Sequence, residues 1–228
     1  MKNKNWLELS QYFSNERVKA SFSLKQSINN KNHDAIDFAK IYGFKHKLIA
    51  IPNQTHSNNI KKITLGGKIF NADGVFTSNP MVVCSIKVAD CLPIFFAHRT
   101  ELFFGIVHAG WRGLVNGIIS ESIRLIKSEC ISLKSIDVFI GPSIQACCFE
   151  VGNDIVERFS PNFIKQNINS KYFVNLQGIA QNKLEYEGIL KKHIKVSKDC
   201  TFCQLERYFS FRRDGKKSRR MFGLIGSK

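Results

Sequence analysis

Acidic residues are scarce in this sequence: 18 Asp and Glu stand against 34 Lys and Arg, a formal net charge of +16. Proline is scarcer still, with five in 228 residues, each falling singly at the edge of a patterned segment. No apolar run approaches the ~20 residues that span a bilayer, which excludes a helical membrane protein. The start, MKNKNWLELSQYF, is charged but lacks a continuous apolar stretch and a small-residue cleavage site, so no secretory leader is expected and the chain reads as cytoplasmic. Repeats, low-complexity tracts and Pro/Gly/Ser linkers are all missing. Nothing marks a second domain, and residues 1–228 are expected to form one, since 43% hydrophobic and 11% aromatic residues suffice to bury a substantial core.

The seven cysteines are odd in number and scattered, which fits reduced thiols better than a disulfide framework. Cys147, Cys148, Cys200 and Cys203 are expected to be structural. A strong basic charge suits phosphate backbones, yet the lysines are spread along the chain beside Asn and Ile rather than gathered in a stripe, which argues against nucleic acid as a partner. Only KKSRR (216–220), just after Arg212 and Arg213, is dense. It reads as a solvated basic turn unless it borders a site for an anionic substrate.

The first thirty-odd residues are the most polar and least patterned, with SINNKNHDAIDFAKIYGF (27–44) reading as a loop whose Asn/Asp region caps a helix starting near Asp34. KLIAIPNQTHS (47–57) reads as a buried strand ending in polar residues, and VFTS (75–78) opens another behind an Asp73-Gly74 turn. MVVCSIKVADCLPIFFAH (81–98) supplies two apolar strands broken at Ala89-Asp90-Cys91. ELFFGIVHAGWRG (101–113) is a strand running into a glycine-rich turn. In 114–130, apolar residues at Leu114, Ile118, Ile119, Ile123 and Ile126 follow a helical period. Residues 136–144 repeat the strand-and-turn grammar, 149–159 and 178–193 read as helices, and the C-terminus reads as a hairpin turning at Asp214-Gly215. Such alternation indicates a mixed α/β or α+β sandwich with polar chemistry at strand ends.

Three metal-ligating residue types terminate apparent strands: His56, Cys91 and His108. Imidazole with thiolate suits zinc, and a catalytic zinc site keeps three protein ligands and an open fourth position. Residue types alone equally allow a core cysteine and two hydrogen-bonded loop histidines. The HAGWRG turn adds two glycines and Arg112 before a helix, a place for backbone N–H groups and a guanidinium to meet an anion. The same glycines also suit close helix packing, and the spacing of a P-loop is absent.

QTH (54–56), NADGVFT (71–77), VADCLPIFF (88–96), VHAGWRG (107–113), IGPSIQACCFEVG (140–152), CT (200–201) and FSFRRDG (209–215) occur in order over residues 47–225. Together they resemble the YfiH family, which carries the inherited name polyphenol oxidoreductase laccase and includes the FAMIN and PgeF proteins. The resemblance implies an α+β fold, a four-layer α/β/β/α sandwich with mixed sheets, related to toxin-type cysteine hydrolases. It implies a metal held by His56, Cys91 and His108, and a zinc-dependent purine nucleoside enzyme: phosphorolysis of adenosine, inosine and methylthioadenosine, and deamination of adenosine. Nucleoside and phosphate are then the partners. Arg112, Gln54 and Gly110 are expected to bind substrate or phosphate, Cys91 and His108 to be catalytic, and Asp90 to assist as an acid, base or orienting group, with Glu150 a weaker candidate.

Two departures stand out. The family's Arg-Gly-Gly near the N-terminus has no counterpart around RVKASFSLKQS (17–27), so if that arginine helps hold substrate, Lys25 or another basic residue must replace it or the specificity differs, and SRR (218–220) lacks the glycine expected before its arginine. The competing enzyme reading makes Cys91 a nucleophile and His108 its base in an amidohydrolase that edits a peptidoglycan precursor, UDP-MurNAc-L-Ser. Six histidines are too few for a multicopper oxidase. A single blue-copper centre would need Met1, Met81 or Met221 as its axial ligand, which keeps copper a lesser alternative to zinc.

Overall fold

The computed structural model describes residues 5–27, 34–44, 47–166 and 171–228. Two six-stranded mixed sheets stack face to face. The first orders Trp6–Glu8, Val18–Ser23, Met221–Ser227, Val82–Val88, Leu48–Pro52 and Gly67–Ile69. The second orders Ile194–Val196, Ile136–Ile140, Leu92–His98, Phe104–Ala109, Gly74–Thr77 and Ile60–Lys62. Each sheet mixes parallel and antiparallel pairs, as at Leu48–Pro52 beside Val82–Val88 and Ile136–Ile140 beside Ile194–Val196.

Period-two alternation sorts the second sheet's side chains between two cores. Phe95, Ala97, Phe104 and Ile106 point between the sheets, against Cys84, Ile86 and Ile225. Leu92, Ile94, Phe96, Val107 and Ala109 point outward, beneath Leu114, Ile119, Ile123 and Ile126 and the helix Leu176–Glu187. On the far face of the first sheet lies the helix Ala35–Tyr42, capped by the Asp34 carboxylate, which accepts from the backbone of Ile36 and Asp37. The result is the expected four-layer α/β/β/α sandwich. Among the described residues, no helix is long and apolar enough to cross a membrane.

Several local expectations are corrected. The N-terminal segment, the least patterned in the sequence, still supplies a strand: Val18–Ser23 lies inside the first sheet, because Ser21 and Ser23 are small enough to be buried and the Ser23 hydroxyl accepts from the backbone of Phe222, while residues 28–33 of the loop read before Asp34 lie outside the described ones. Residues 114–130 form two helices, Trp111–Val115 and Ile118–Ser128, parted by Gly117 at φ +87°. Of 149–159 only Asn153–Val156 is helical. The C-terminus is no hairpin. Residues Phe211–Asp214 form one helical turn and Met221–Ser227 inserts between Val18–Ser23 and Val82–Val88, so its pairing is wholly long-range.

Candidate metal centre and its cavity

The chain crosses from the first sheet to the second three times near one end of the sandwich, and each crossing carries a residue of the centre. One runs from Leu48–Pro52 through His56 to Ile60–Lys62, a second from Gly67–Ile69 through Asp73 to Gly74–Thr77, and the third from Val82–Val88 through Asp90 and Cys91 to Leu92–His98. His108 closes the set from the next strand. Its register partner is Pro93, so Cys91 lies diagonally across the ladder on the same inter-sheet face.

His56, Cys91 and His108 offer ligand atoms that all lie within 4.8 Å of one another, with Cys91 Sγ 3.9 Å from His56 Nε2. The two imidazoles meet edge to face at 4.8 Å. Gly110 leaves room for this convergence: a Cβ there would stand 3.1 Å from both Cys91 Sγ and His56 Cδ2. The missing side chain at Gly110, the N-cap of the short helix Trp111–Val115, thus supplies clearance for both side chains.

Asp73, read above as a turn former, organises the centre. Its fully buried carboxylate receives His108 Nδ1 at 2.8 Å, the His56 backbone N–H at 3.0 Å, and both the backbone and hydroxyl of Thr55 and of Ser57. One carboxylate thus fixes the His108 ring and the His56 backbone, which adopts φ +60°. Despite burial, the hydrogen bonds from His108 and Ser57 hold this carboxyl well below the usual range. NADG carried the signal, with an acid ending its approach to a buried strand.

Burial pushes the Cys91 thiol up, but His108 and His56 outweigh it and bring it to about 6. Burial pushes His108 down, but Cys91 and Asp73 raise it to about 9. In the metal-free protein at neutral pH the pair is therefore thiolate and imidazolium, and a metal must displace the His108 proton. Zinc affinity of the metal-free protein is expected to rise by about one log unit per pH unit between these two values. It should rise more steeply below about 6, where Cys91 also binds a proton, and level off above about 9. Competition titrations with Cys91→Ala as the blank measure it, and a flat profile would contradict the proton inventory.

These three candidate ligands line a cavity of about 410 Å³, within the range of small-molecule sites, and form its floor. Lys87, Arg112, Arg220 and Phe211 line its walls, and among the described residues no carboxylate lines it. Arg112 stacks its guanidinium on Trp111 at 4.3 Å. Arg220 reaches the cavity from the basic turn and lies 5.6 Å from the Phe211 ring. Lys87 and Phe211 were not singled out from the sequence, whereas Arg220 belongs to the KKSRR turn and brings it to the border of the cavity. Lys25, one of the candidates to replace the missing arginine, bonds to the Leu205 carbonyl, and the basic residues on the cavity are Lys87, Arg112 and Arg220.

Two further expectations are revised. Asp90, at φ +84°, turns its carboxylate away from the ligands to accept from Thr201 Oγ1, Ser210 Oγ and the Arg212 backbone, so it anchors the 200–212 segment beside Cys91. Gln54 lines the cavity, but its amide makes two bonds to the Lys87 backbone, extending the sheet edge. Glu150 pairs with Lys171.

A sandwich with a His₂Cys donor set and a cationic cavity at its crossover end defines the class: an α/β/β/α protein with a candidate metal centre open to small anionic molecules. Residues 18–228 match the family described as multi-copper polyphenol oxidoreductase laccase, and the chain belongs to this family, the YfiH family. The chain is 34% identical to the purine nucleoside phosphorylase of Haemophilus influenzae over 73% of its length and 69% of that protein's. It is also 34% identical to the purine nucleoside phosphorylase of Aquifex aeolicus, over 91% and 94%. The crystal structure of YlmD from Geobacillus stearothermophilus superimposes with a TM-score of 0.89 at 25% identity, covering 100% of this chain and 98% of that one.

Proposed function

We propose that the protein is a zinc-dependent purine nucleoside phosphorylase, acting on adenosine, inosine and methylthioadenosine, that also deaminates adenosine. The observation that carries this reading is the cavity itself, in which a His₂Cys floor faces a wall of Lys87, Arg112 and Arg220 with no opposing carboxylate. The names of the Haemophilus and Aquifex relatives support it.

His56, Cys91 and His108 would hold the metal. Their fit rests on the convergence of the three donors, on the Nδ1–H of His108 being engaged by Asp73 so that Nε2 is left to ligate, and on the clearance at Gly110. Bound there, zinc supplies Lewis-acid polarisation and lowers the pKa of water. Of the three axial candidates for blue copper, Met1 lies outside the described residues, neither Met81 nor Met221 lines the cavity, and the Met221 sulfur accepts from the Phe209 backbone, which favours zinc.

The remaining work falls to the protein. Phe211, half exposed on the wall, offers a face on which a purine stacks. Arg112 clamps phosphate bidentately, with Lys87 and Arg220 adding charge. A phosphate oxygen bonds to C1′ as the N9–C1′ bond breaks, and the proton lost by hydrogenphosphate ends on the departing purine. In deamination, water adds at C6 and the amino group leaves as ammonia.

Incubation with adenosine, with and without phosphate, followed by mass identification of products, tests the proposal. Ribose 1-phosphate is expected only with phosphate, and inosine with or without it. Arg112→Ala removes a charge-assisted contact worth roughly 1.5–3 kcal/mol. Phosphorolysis should therefore fall about tenfold to hundredfold, and deamination less. Equal losses in both reactions would make Arg112 a scaffold residue.

One observation favours a second reading. Cys91, His108 and Asp73 stand in the order of a nucleophile, base and orienting acid, and the thiol is already lowered to about 6. An amidohydrolase of this kind would cleave UDP-MurNAc-L-Ser without metal. Serine release by chelated protein would establish it over the phosphorylase.

A further inference from the structure

A second cluster of soft donors lies beyond Asp90. The neighbouring parallel strands Ile136–Ile140 and Ile194–Val196 release their following loops at the same end of the sheet, and the pairing continues through a bridge between Ser143 and Cys200. These loops carry the vicinal Cys147 and Cys148 and the Cys200-x₂-Cys203 pair. All four Sγ atoms lie within 4.8 Å of one another.

The separations discriminate between chemistries. Cys147 and Cys148 are 3.4 Å apart, Cys148 and Cys203 3.3 Å, and Cys147 and Cys203 3.7 Å. A disulfide requires about 2.05 Å, whereas sulfurs on a zinc tetrahedron with Zn–S near 2.3 Å stand about 3.8 Å apart. Apolar packing does not account for the convergence either, because Cys147 and Cys203 are exposed and only Cys200 is buried. The Cys200 sulfur also receives the backbone N–H groups of Gln145, at 3.5 Å, and of Cys203, bonds that suit a ligating thiolate. Four thiolates this close repel one another unless a cation lies among them.

We propose that Cys147, Cys148, Cys200 and Cys203 bind a second zinc ion, in a closed, all-thiolate structural site separate from the centre at His56, Cys91 and His108. Its position gives it a task. Thr201, inside the Cys-x₂-Cys turn, donates to the Asp90 carboxylate, and Arg213 donates to the carbonyls of Thr201 and Phe202. The ion thereby fastens the segment that holds Asp90, next to Cys91, and that leads into Phe211 on the cavity wall. Nothing in this site depends on which reaction the cavity performs.

Elemental analysis of protein purified under reducing conditions without chelator tests the assignment. Wild type is expected to carry two zinc ions per chain, Cys91→Ala one, Cys203→Ala one, and the double variant none. Cobalt substitution gives an answer that leaves the four cysteines intact: Cys91→Ala loaded with cobalt should show the strong thiolate charge-transfer and d–d absorption of a tetrahedral all-sulfur site. A single zinc in wild type that Cys91→Ala removes would overturn the proposal. So would a cobalt-loaded Cys91→Ala protein without those bands, or a non-reducing mass two hydrogens lower, showing two of the four cysteines joined as a disulfide.

Discussion

Cys91→Ala and His108→Ala are each expected to empty the centre at the cavity floor and to abolish nucleoside turnover, with the fold retained. Loss of an outer partner of a metal ligand already costs about 10–100-fold in affinity, and loss of a ligand itself must exceed that. Here the margin is larger still for Cys91, which supplies the only anionic donor of the three. The sandwich should survive, because Cys91 is only partly buried and neither side chain is among the large residues that fill the two cores. Zinc stoichiometry, circular dichroism and phosphorolysis rates on the same preparations check all three points. Turnover by a Cys91→Ala protein at wild-type rate would remove the metal centre from the mechanism. Metal retained at the floor with amide hydrolysis lost would instead transfer the site to the nucleophilic reading.

The convergence of His56, Cys91 and His108 was legible because each lies at or near a strand end, where a sandwich presents side chains to a common cleft. Local signals placed the elements that hold it: the break at Ala89-Asp90-Cys91 is the crossover between sheets, and the strand 101–109 leads into Gly110 as its pattern indicates. What escaped the sequence was long-range. Asp73 has the look of any Asp-Gly turn until Thr55, His56 and Ser57, some sixteen to eighteen residues away, fold onto it. Met221–Ser227 reads as half of a hairpin because its true partners, Val18–Ser23 and Val82–Val88, are remote in the chain. Arg220 and Phe211 reach the cavity from that same C-terminal segment, so their part depended on a topology that local periodicity does not encode. The Cys200-x₂-Cys203 spacing, by contrast, was visible in the sequence; what it lacked was the second pair, brought alongside by parallel strands.

Asp73→Asn is expected to destabilise the metal-free protein by about 2–4 kcal/mol and to weaken zinc binding at the cavity floor by about 10–100-fold. The change preserves shape and removes one acceptor. One carboxylate oxygen now receives the hydroxyl and backbone of Ser57, and the other receives His108 Nδ1 and the His56 backbone. An amide can place its oxygen on one side only, so its NH₂ group must face existing N–H or O–H donors on the other. If it faces His108, Nδ1 becomes the acceptor, the ring proton moves to Nε2, and the ligating nitrogen is blocked. The pH dependence carries a distinct signature. The Asp73 carboxyl is held below its ordinary pKa when folded, so its contribution is complete above the unfolded value near 4 and is lost as pH falls towards the folded one. The stability gap between wild type and Asp73→Asn should therefore be widest near neutrality and narrow steadily below about pH 4, in urea titrations of metal-free protein. A gap independent of pH would assign the damage to packing. Unchanged zinc affinity in Asp73→Asn would mean that the sandwich, not this carboxylate, orients His108.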